Sequence, residues 1–525
     1  MTYEPGSFSD AQPWRVDPER MAWRAGIDAL RAETQARLPA LVRARGLPPL
    51  DRFAGAGWKL GSALACWAAL ERKRGQPEAR AALSRRLRKA FEQLGPAYIK
   101  LGQIVSSGRG LFPDEVVQEF ATLRDRVPPE PFAAVRAVIE EDLGRPLEQM
   151  FLRFDPESLA AASIAQVHSA RLRSGEEVVV KVQRPQVARL VRSDLRAMAW
   201  IAPFLVGRIP VAALANPPAL VELFAETISE ELDFRLEAEN MLDIARLLRD
   251  AGQTKLVVPR PHPELVTRRV LVMERLQGYT IAQADEMRAA GIDTAEVLRA
   301  LLISFLEGAM IYGVFHGDLH PGNLFVLADG RVALLDFGMT GRMDPKQRVA
   351  FMKLMVTGFT NDIPNHLAAF RDLGALPDDA DLEALSRDLK LDRPPIDPTQ
   401  LTGQELVSEI QDVLKHLLAH GAKLPKHLML YVKDLMFIDG AIGELAPDVD
   451  LFAEVGRVFA YFTATHGERI AREVGGDVQF AKLDLTGFKA GLGLSGEVET
   501  LTHRQLLKRR EIVRRRLEDV GGPRL

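Results

Sequence analysis

The sequence predicts an α+β protein in which a helical N-terminal extension leads into a small β-sheet lobe and then a larger helical lobe. Three observations carry this reading. Residues 1 to about 145 run as stretches rich in Ala, Leu, Arg and Glu with apolar residues at helical spacing. Between about 150 and 183 the pattern turns short and β-rich. Beyond that, long helical runs return, broken by only a few brief β-type segments. The expected domains are therefore 1–145, 146–276 and 277–525. A chain of 525 residues with 47% hydrophobic and 26% charged residues has the length and composition to bury a core in each.

Within the extension, "GQPE" and "VPPEP" break the helical pattern, and Gly95-Pro96 interrupts the run from 79 to 107. Its arginines read first as a solvated helix face, with phosphate or anionic lipid as the alternative. "QMFLRFD", "SIAQVHSARL" and "EEVVVKVQ" read as strands, with "RSGEE" as the turn between the last two. A helical run follows to about 250, then strands at "KLVVPRP" and "RRVLVMERL", then the helix "TAEVLRALLISFLEGAMIYGV". "NLFVLADGRVALLDFG" reads as strand, tight turn, strand. The remainder is helical apart from the Pro-rich stretch at 393–400, and it ends in a charged helix; no internal repeat is visible.

Composition excludes several classes. The 68 basic and 71 acidic residues nearly balance, so no whole-molecule field points to nucleic acid. A single cysteine, Cys66, excludes an internal disulfide framework and a cysteine-based zinc site, and it reads as a small apolar residue. The first fourteen residues lack the basic and apolar regions of a signal peptide. The most membrane-like segment, residues 53–70, is rich in Ala and Gly and interrupted by Lys59, so it reads as a helix packed on protein. Its Gly57 and Gly61 have a spacing that can allow close helix packing. The expected location is cytoplasmic, with at most peripheral contact at the inner face of a membrane.

The chemistry concentrates in "FHGDLHPGNLFVLADGRVALLDFG", residues 315–338. Asp318 and Asn323 lie five apart in a polar loop, and Asp336 follows thirteen residues later at a strand end, before Phe337-Gly338. Phosphoryl transfer needs this set. One carboxylate orients or deprotonates the acceptor, while an amide and a second carboxylate hold magnesium against the phosphates. A metal pair formed by His316 and His320 is set aside because no third ligand or supporting helix accompanies it. Upstream, Lys181 in "VVVKV" is the natural partner for nucleotide phosphates, and Glu231, Asp233 and Glu237 are all available to fix it. The strand and linker "VLVMERLQG", with Glu274, would meet adenine. Where a glycine-rich turn would cover the phosphates, the chain instead has "AAAS", Ala160 to Ser163.

Taken in order, "KLGQ", "AAAS", "VVVKVQRP", "ELDFRLEAEN", "HGDLHPGN" and "LDFG" span about residues 90–345, and the chain resembles the ABC1/AarF/UbiB family of atypical protein-kinase-like proteins. The resemblance implies a bilobal protein-kinase-like fold with a helical extension, binding of ATP or ADP with Mg2+, ATPase activity, and a role in lipid metabolism, often ubiquinone biosynthesis. It implies that Lys100 and Gln103 of "KLGQ" reach into the nucleotide cleft, with Glu231 and Asp233 of "ELD" as polar partners for the extension. Glu237 is then expected to pair with Lys181. Asp318 matches the catalytic aspartate, Asn323 and Asp336 the metal ligands, and Ala160 to Ser163 the alanine-rich loop.

Two departures from ordinary protein kinases stand out. Gly317 precedes Asp318 where an arginine usually docks a phosphorylated activation segment. The chain also runs from "DFGMTGRMD" straight into a helix, leaving little platform for a protein substrate. An ATPase coupled to a lipid or to quinone-biosynthesis proteins fits best, with a true kinase and a nucleotide-switched scaffold as alternatives. Quinone-linked members of the family often carry C-terminal transmembrane helices. Here the C-terminal stretch is "KRREIVRRRLEDVGGPRL", which weakens both the anchoring and the quinone expectation.

Overall fold

The computed structural model of the protein describes residues 20–43, 49–72, 76–106, 114–123, 128–205, 217–360, 362–391, 397–423, 425–475, 489, 494 and 498–519. The reading of the first fourteen residues, and residues 393–396 of the Pro-rich break, lie outside them. The chain adopts the α+β class expected of it, in two compact units. One comprises residues up to Ala245 with Val258–Leu276 and Asp336–Met339; the other comprises Arg246–Val257, Gln277–Leu335 and Thr340–Leu525.

The first unit opens with α1 (Ile27–Leu41), α2 (Leu50–Leu70), α3 (Gln76–Leu94), α4 (Pro96–Ser106) and α5 (Asp114–Ala121). Gly95 separates α3 from α4 at φ +101°, a conformation that side chains resist, and Pro96 opens α4 where a missing N–H is harmless. Ala63, Leu83, Leu87, Ala90, Val105, Val116 and Phe120 close a core among α2 to α5. Gly102 of α4 permits that closeness, because a Cβ there would strike a Leu123 methyl and stand 2.9 Å from the Phe120 ring. Gly57 and Gly61 of α2 face open space, so their spacing mediates no close helix packing. Helix α2 leaves Trp58 78% exposed, and Cys66 is exposed as well rather than packed as a small apolar residue. No helix among the described residues is long and apolar enough to cross a membrane.

Helices α6 (Phe132–Leu143) and α7 (Leu147–Met150) lead into β1 (Phe151–Ala161), β2 (Ala165–Leu172) and β3 (Glu177–Gln183). Then come α8 (Val187–Leu205), α9 (Pro217–Glu231), α10 (Phe234–Asp250), β4 (Leu256–Val257) of the second unit, β5 (Pro261–Val266) and β6 (Val270–Glu274). The antiparallel sheet has the order β1-β2-β3-β6-β5. Gly175, at φ +109°, makes the turn between β2 and β3. Side chains alternate along β3: Val178, Val180 and Val182 pack with Val135, Val138 and Ile139 of α6, which puts Lys181 on the opposite face.

The second unit continues with α11 (Ala284–Ala289), α12 (Thr294–Glu307), a π-helical turn over Gly308–Tyr312, β7 (Val314–His316), β8 (Leu324–Val326), β9 (Val332–Leu334) and β10 (Thr340–Arg342). Helices α13 (Pro345–Thr360), α14 (Ile363–Asp372), α15 (Leu382–Asp388), α16 (Gly403–Ala419), α17 (Lys426–Leu445), α18 (Leu451–Val474) and α19 (His503–Asp519) follow. β8 and β9 form a hairpin with β4 parallel to β9, and β7 pairs with β10. The loop 317–323 is thus pinned between β7 and β8. At its base Phe315 packs edge-on against Phe305 of α12 at 5.7 Å and Tyr431 of α17 at 5.9 Å. Gly341 lies flat against the Phe315 ring, with no room for a Cβ.

These glycines make a stability test with opposite signs. Gly102→Val is expected to lower unfolding free energy by about 1–3 kcal/mol through overpacking. Gly57→Ala and Gly61→Ala, in open helical positions, are expected to raise it by up to about 1 kcal/mol each. Denaturant unfolding monitored by circular dichroism reads both.

Candidate functional site

Lys181 is the centre of the polar cluster in the first unit. Its Nζ lies 2.7 Å from Glu237 Oε1 and 3.1 Å from Asp336 Oδ2, and 5.4 Å from the centre of the Phe234 ring. Among the three helix carboxylates that composition left open, Glu237 on α10 is therefore the one at the lysine. Burial by itself would lower the lysine's pKa, but Asp336 and Glu237 outweigh it and hold the ammonium charged. For Glu237 burial is the larger influence and lifts its carboxyl above the usual range; Lys181 opposes that rise and Asp336 adds to it. Two carboxylates share one cation, and the deeper one is the less fully compensated.

Asp336 has φ +56°, one of three non-glycine residues in that region among those described. Its Oδ1 accepts the N–H of Gly338 at 3.1 Å, a local bond that stabilises this conformation for aspartate. Asn240 Nδ2 donates to the carbonyl of Phe337 at 2.9 Å, so α10 grips the Asp-Phe-Gly segment directly. Glu237 and Asn240 are three residues apart and share one helix face. Spacing alone could have found Asn240.

The alanine stretch is a tight turn. Ala160 and Ala161 end β1, and Ala162 N–H donates to Ala165 O at 2.8 Å across the gap to β2. Arg184, which sequence reading missed, locks this turn: Nε donates to Ala162 O at 2.9 Å, Nη2 to Pro128 O at 2.9 Å, and Nη1 pairs with Glu130 at 2.9 Å. Ser163 is buried, and none of the four residues has a positive φ. The turn is built without the backbone freedom of glycine. Glu274 is also buried at the end of β6, where its Oε2 accepts the N–H of Arg260 at 3.0 Å.

Lys100 on α4 forms an ion pair with Glu231 at 2.9 Å, and both are largely buried. Glu231 also backs the Asp-Phe-Gly segment, since a Cβ on Gly338 would stand 3.4 Å from Glu231 Cγ. Gln103 follows one turn later, half-buried on the same helix. Asp233 sits differently from its expected partnership with the extension. Arg235 takes both its oxygens, at 3.0 and 2.7 Å, and the N–H of Arg235 bonds to Oδ1 at 3.2 Å. The short reach of this i,i+2 pair at the start of α10 ties the carboxylate to its own backbone.

In the second unit the loop after β7 is held from several sides. His316 Nδ1 accepts the N–H of Asp318 at 3.1 Å, so the ring proton is on Nε2, which donates to Leu335 O at 2.9 Å. Both ring nitrogens of His316 are thus engaged by backbone groups, and His320 Nδ1 accepts from Gly322 N. Asn323 Nδ2 donates to Asp318 O at 3.1 Å, which turns its amide oxygen to the other side. The amide oxygen of Asn323 is a hard donor, and so, in the first unit, is the Asp336 carboxylate, 44% exposed. No cluster of three or more His, Cys, Asp or Glu able to hold a metal exists among the described residues.

Two further residues at this loop have no local signal in the sequence. Lys433 of α17 ion-pairs with Asp318 Oδ1, and Asp434 Oδ1 accepts the N–H of Leu319 at 2.8 Å. They lie 115 residues along the chain from their partners, beyond any motif spacing.

A lysine on a sheet strand, its helix carboxylate, an Asp-Phe-Gly turn and an His-x-Asp loop ending in asparagine define a kinase-like protein of the atypical kind. The family model of the ABC1 atypical kinase-like domain matches residues 122–368. An uncharacterized protein of Mycobacterium tuberculosis is 37% identical over 398 residues, covering 75% of this chain and 80% of its own. An uncharacterized aarF domain-containing protein kinase of Arabidopsis thaliana, chloroplastic, is 33% identical over 393 residues, covering 70% and 73%. A probable protein kinase UbiB of Marinobacter nauticus is 30% identical over 382 residues, covering 72% and 69%. The chain belongs to the ABC1/AarF/UbiB family.

The Lys181 cluster generates a test of its own. Lys181→Met leaves the buried Glu237 without its cation and is expected to destabilise the fold by about 3–5 kcal/mol. Adding Glu237→Gln removes the stranded charge and should recover a good part of that loss, a coupling that a double-mutant cycle in urea measures.

Proposed function

We propose that this protein is a magnesium-dependent ATPase whose turnover is coupled to lipid or isoprenoid-quinone metabolism. The observation that carries the nucleotide reading is Lys181 held between Glu237 and Asp336. In this reading Lys181 pairs with nucleotide phosphates and Glu237 fixes its ammonium. Asp336 and Asn323 are the residues that would hold Mg2+, which when bound neutralises charge on the phosphate oxygens. Asp318 orients the attacking oxygen. The turn Ala160 to Ser163 covers the phosphates with a rigid, alanine-built backbone, and the β6 end at Glu274 borders the adenine.

Hydrolysis is favoured over protein phosphorylation by what surrounds the Asp-Phe-Gly segment. The Lys100–Glu231 pair backs Gly338, and only Met343 and Asp344 separate β10 from α13. Gly317 offers no side chain to dock a phosphorylated segment. With Lys100, Gln103 and Glu231 supplying polar groups around the nucleotide, water or a small acceptor is the natural recipient. The second reading, a kinase, is favoured by the intact Asp318, Asn323 and Asp336 and by the relatives named as protein kinases.

Phosphate release by the purified chain with MgATP, with and without anionic liposomes and quinone-precursor analogues, tests this. Turnover stimulated by liposomes is expected, and Asp318→Asn should lower it about 10²- to 10⁴-fold. Efficient γ-phosphate transfer to a protein in trans without lipid-stimulated hydrolysis would establish the kinase instead, and nucleotide binding without turnover would make the protein a scaffold. Ala161→Gly and Ala162→Gly loosen the turn that Arg184 locks and are expected to shift nucleotide affinity or transfer activity while thermal stability stays within about 1 kcal/mol of the parent. Unchanged affinity and turnover in both would overturn the role given to the alanine turn.

A further inference from the structure

The loop around Asp318 is gripped by two consecutive residues of a distant helix. Lys433 Nζ pairs with the Asp318 side chain, and Asp434 Oδ1 accepts the backbone N–H of Leu319 at 2.8 Å. Neighbouring residues on a helix point about 100° apart, so one peptide unit of α17 meets the side chain of one loop residue and the backbone of the next. Helix α17 is itself fixed: Tyr431 stacks on Phe305 at 5.0 Å and 15°, and meets Phe351 edge-on at 4.6 Å.

Asp434 is fully buried, and its second oxygen, Oδ2, has no hydrogen-bond partner. An apolar residue would be far better tolerated at such a position. Burial and the neighbouring Asp318 push its carboxyl well above the usual range, against the pull of Lys433 and of the Leu319 N–H. Core packing therefore does not account for Asp434; its bond to Leu319 does. Gly317, immediately before Asp318, contributes no side chain to hold the loop.

We propose that Lys433 and Asp434 are positioning residues for Asp318, a permanent clamp that replaces the arginine-mediated docking of a phosphorylated segment. Lys433 fixes the Asp318 carboxylate through Oδ1, while Asp434 fixes the backbone beside it. The loop is thus ordered before nucleotide arrives, and activity needs no phosphorylation switch. This rests on the reading of Asp318 as the group that orients the attacking oxygen.

The test uses the full chain and the variants Lys433→Met, Lys433→Arg, Asp434→Ala, Asp434→Asn and Asp318→Asn, with MgATP as the probe. Lys433→Met and Asp434→Ala are expected to lower kcat about a hundredfold by misplacing Asp318, with nucleotide affinity unchanged. Lys433→Arg and Asp434→Asn, which keep a cation and an acceptor oxygen, should fall between these and the parent. Backbone hydrogen exchange over residues 316–323 should quicken about tenfold or more in Lys433→Met and Asp434→Ala, while exchange in β3 and β6 does not change. Unchanged loop exchange, or a loss confined to nucleotide affinity, would overturn the clamp. If the parent and Asp318→Asn release phosphate equally, the turnover reading fails; loop exchange still decides the clamp, because deprotection in the two variants supports it and retained protection refutes it.

Discussion

Everything in the first unit is arranged around one buried ammonium. Lys181 sits where a period-2 strand must put it: the valines on either side belong to the core against α6, so the lysine has to emerge on the other face. There it would be intolerable alone. Glu237 from α10 and Asp336 from the Asp-Phe-Gly segment make the position stable, and in doing so they tie three separate pieces of chain to one point. Asn240, on the same face of α10 as Glu237, holds the carbonyl of Phe337, so the helix that fixes the lysine also fixes the segment that carries its second partner. Arg24 and Arg31 brace that helix further, through Glu239 and the amide oxygen of Asn240.

The helical extension enters the same network through a steric condition. Gly102 lets α4 approach Phe120 and Leu123, and the closeness sets the position of Lys100, two residues earlier on the same helix. From there Lys100 meets Glu231, which lies against Gly338. The glycine of the "KLGQ" motif and the glycine of the Asp-Phe-Gly motif thus serve the same ion pair from opposite sides.

How much of this was legible depended on range. Asp318, Asn323, Asp336 and Lys181 announced themselves because their chemistry is written in local spacing, and the strand around Lys181 because alternation is a local pattern. The choice among Glu231, Asp233 and Glu237 was open to composition; the family resemblance singled out Glu237 for Lys181, and packing adds that Glu231 meets Lys100 while Asp233 turns to Arg235. Gly57 and Gly61 misled because their spacing is identical whether a partner helix is present or not. Arg184 could have been guessed from its place after β3, but not its three acceptors. Lys433 and Asp434 carry no local signal: α17 reads as an ordinary helix, and only the fold brings it to the loop.

Asp336 shows why these supports are needed together. A non-glycine residue at φ +56° lies on the order of 1–3 kcal/mol above its relaxed backbone. Its own side chain recovers part of that through the Gly338 N–H, and Asn240 and Lys181 hold the flanking carbonyl and the free carboxylate oxygen. The strained conformation is therefore supported from α10 and β3, which also set the direction of the carboxylate. In the second unit, Asp318 is held by Lys433, with Asp434 on the next residue's backbone. Both aspartates are thus oriented by ion pairs within their own units, so the direction of each carboxylate is set by the fold around it.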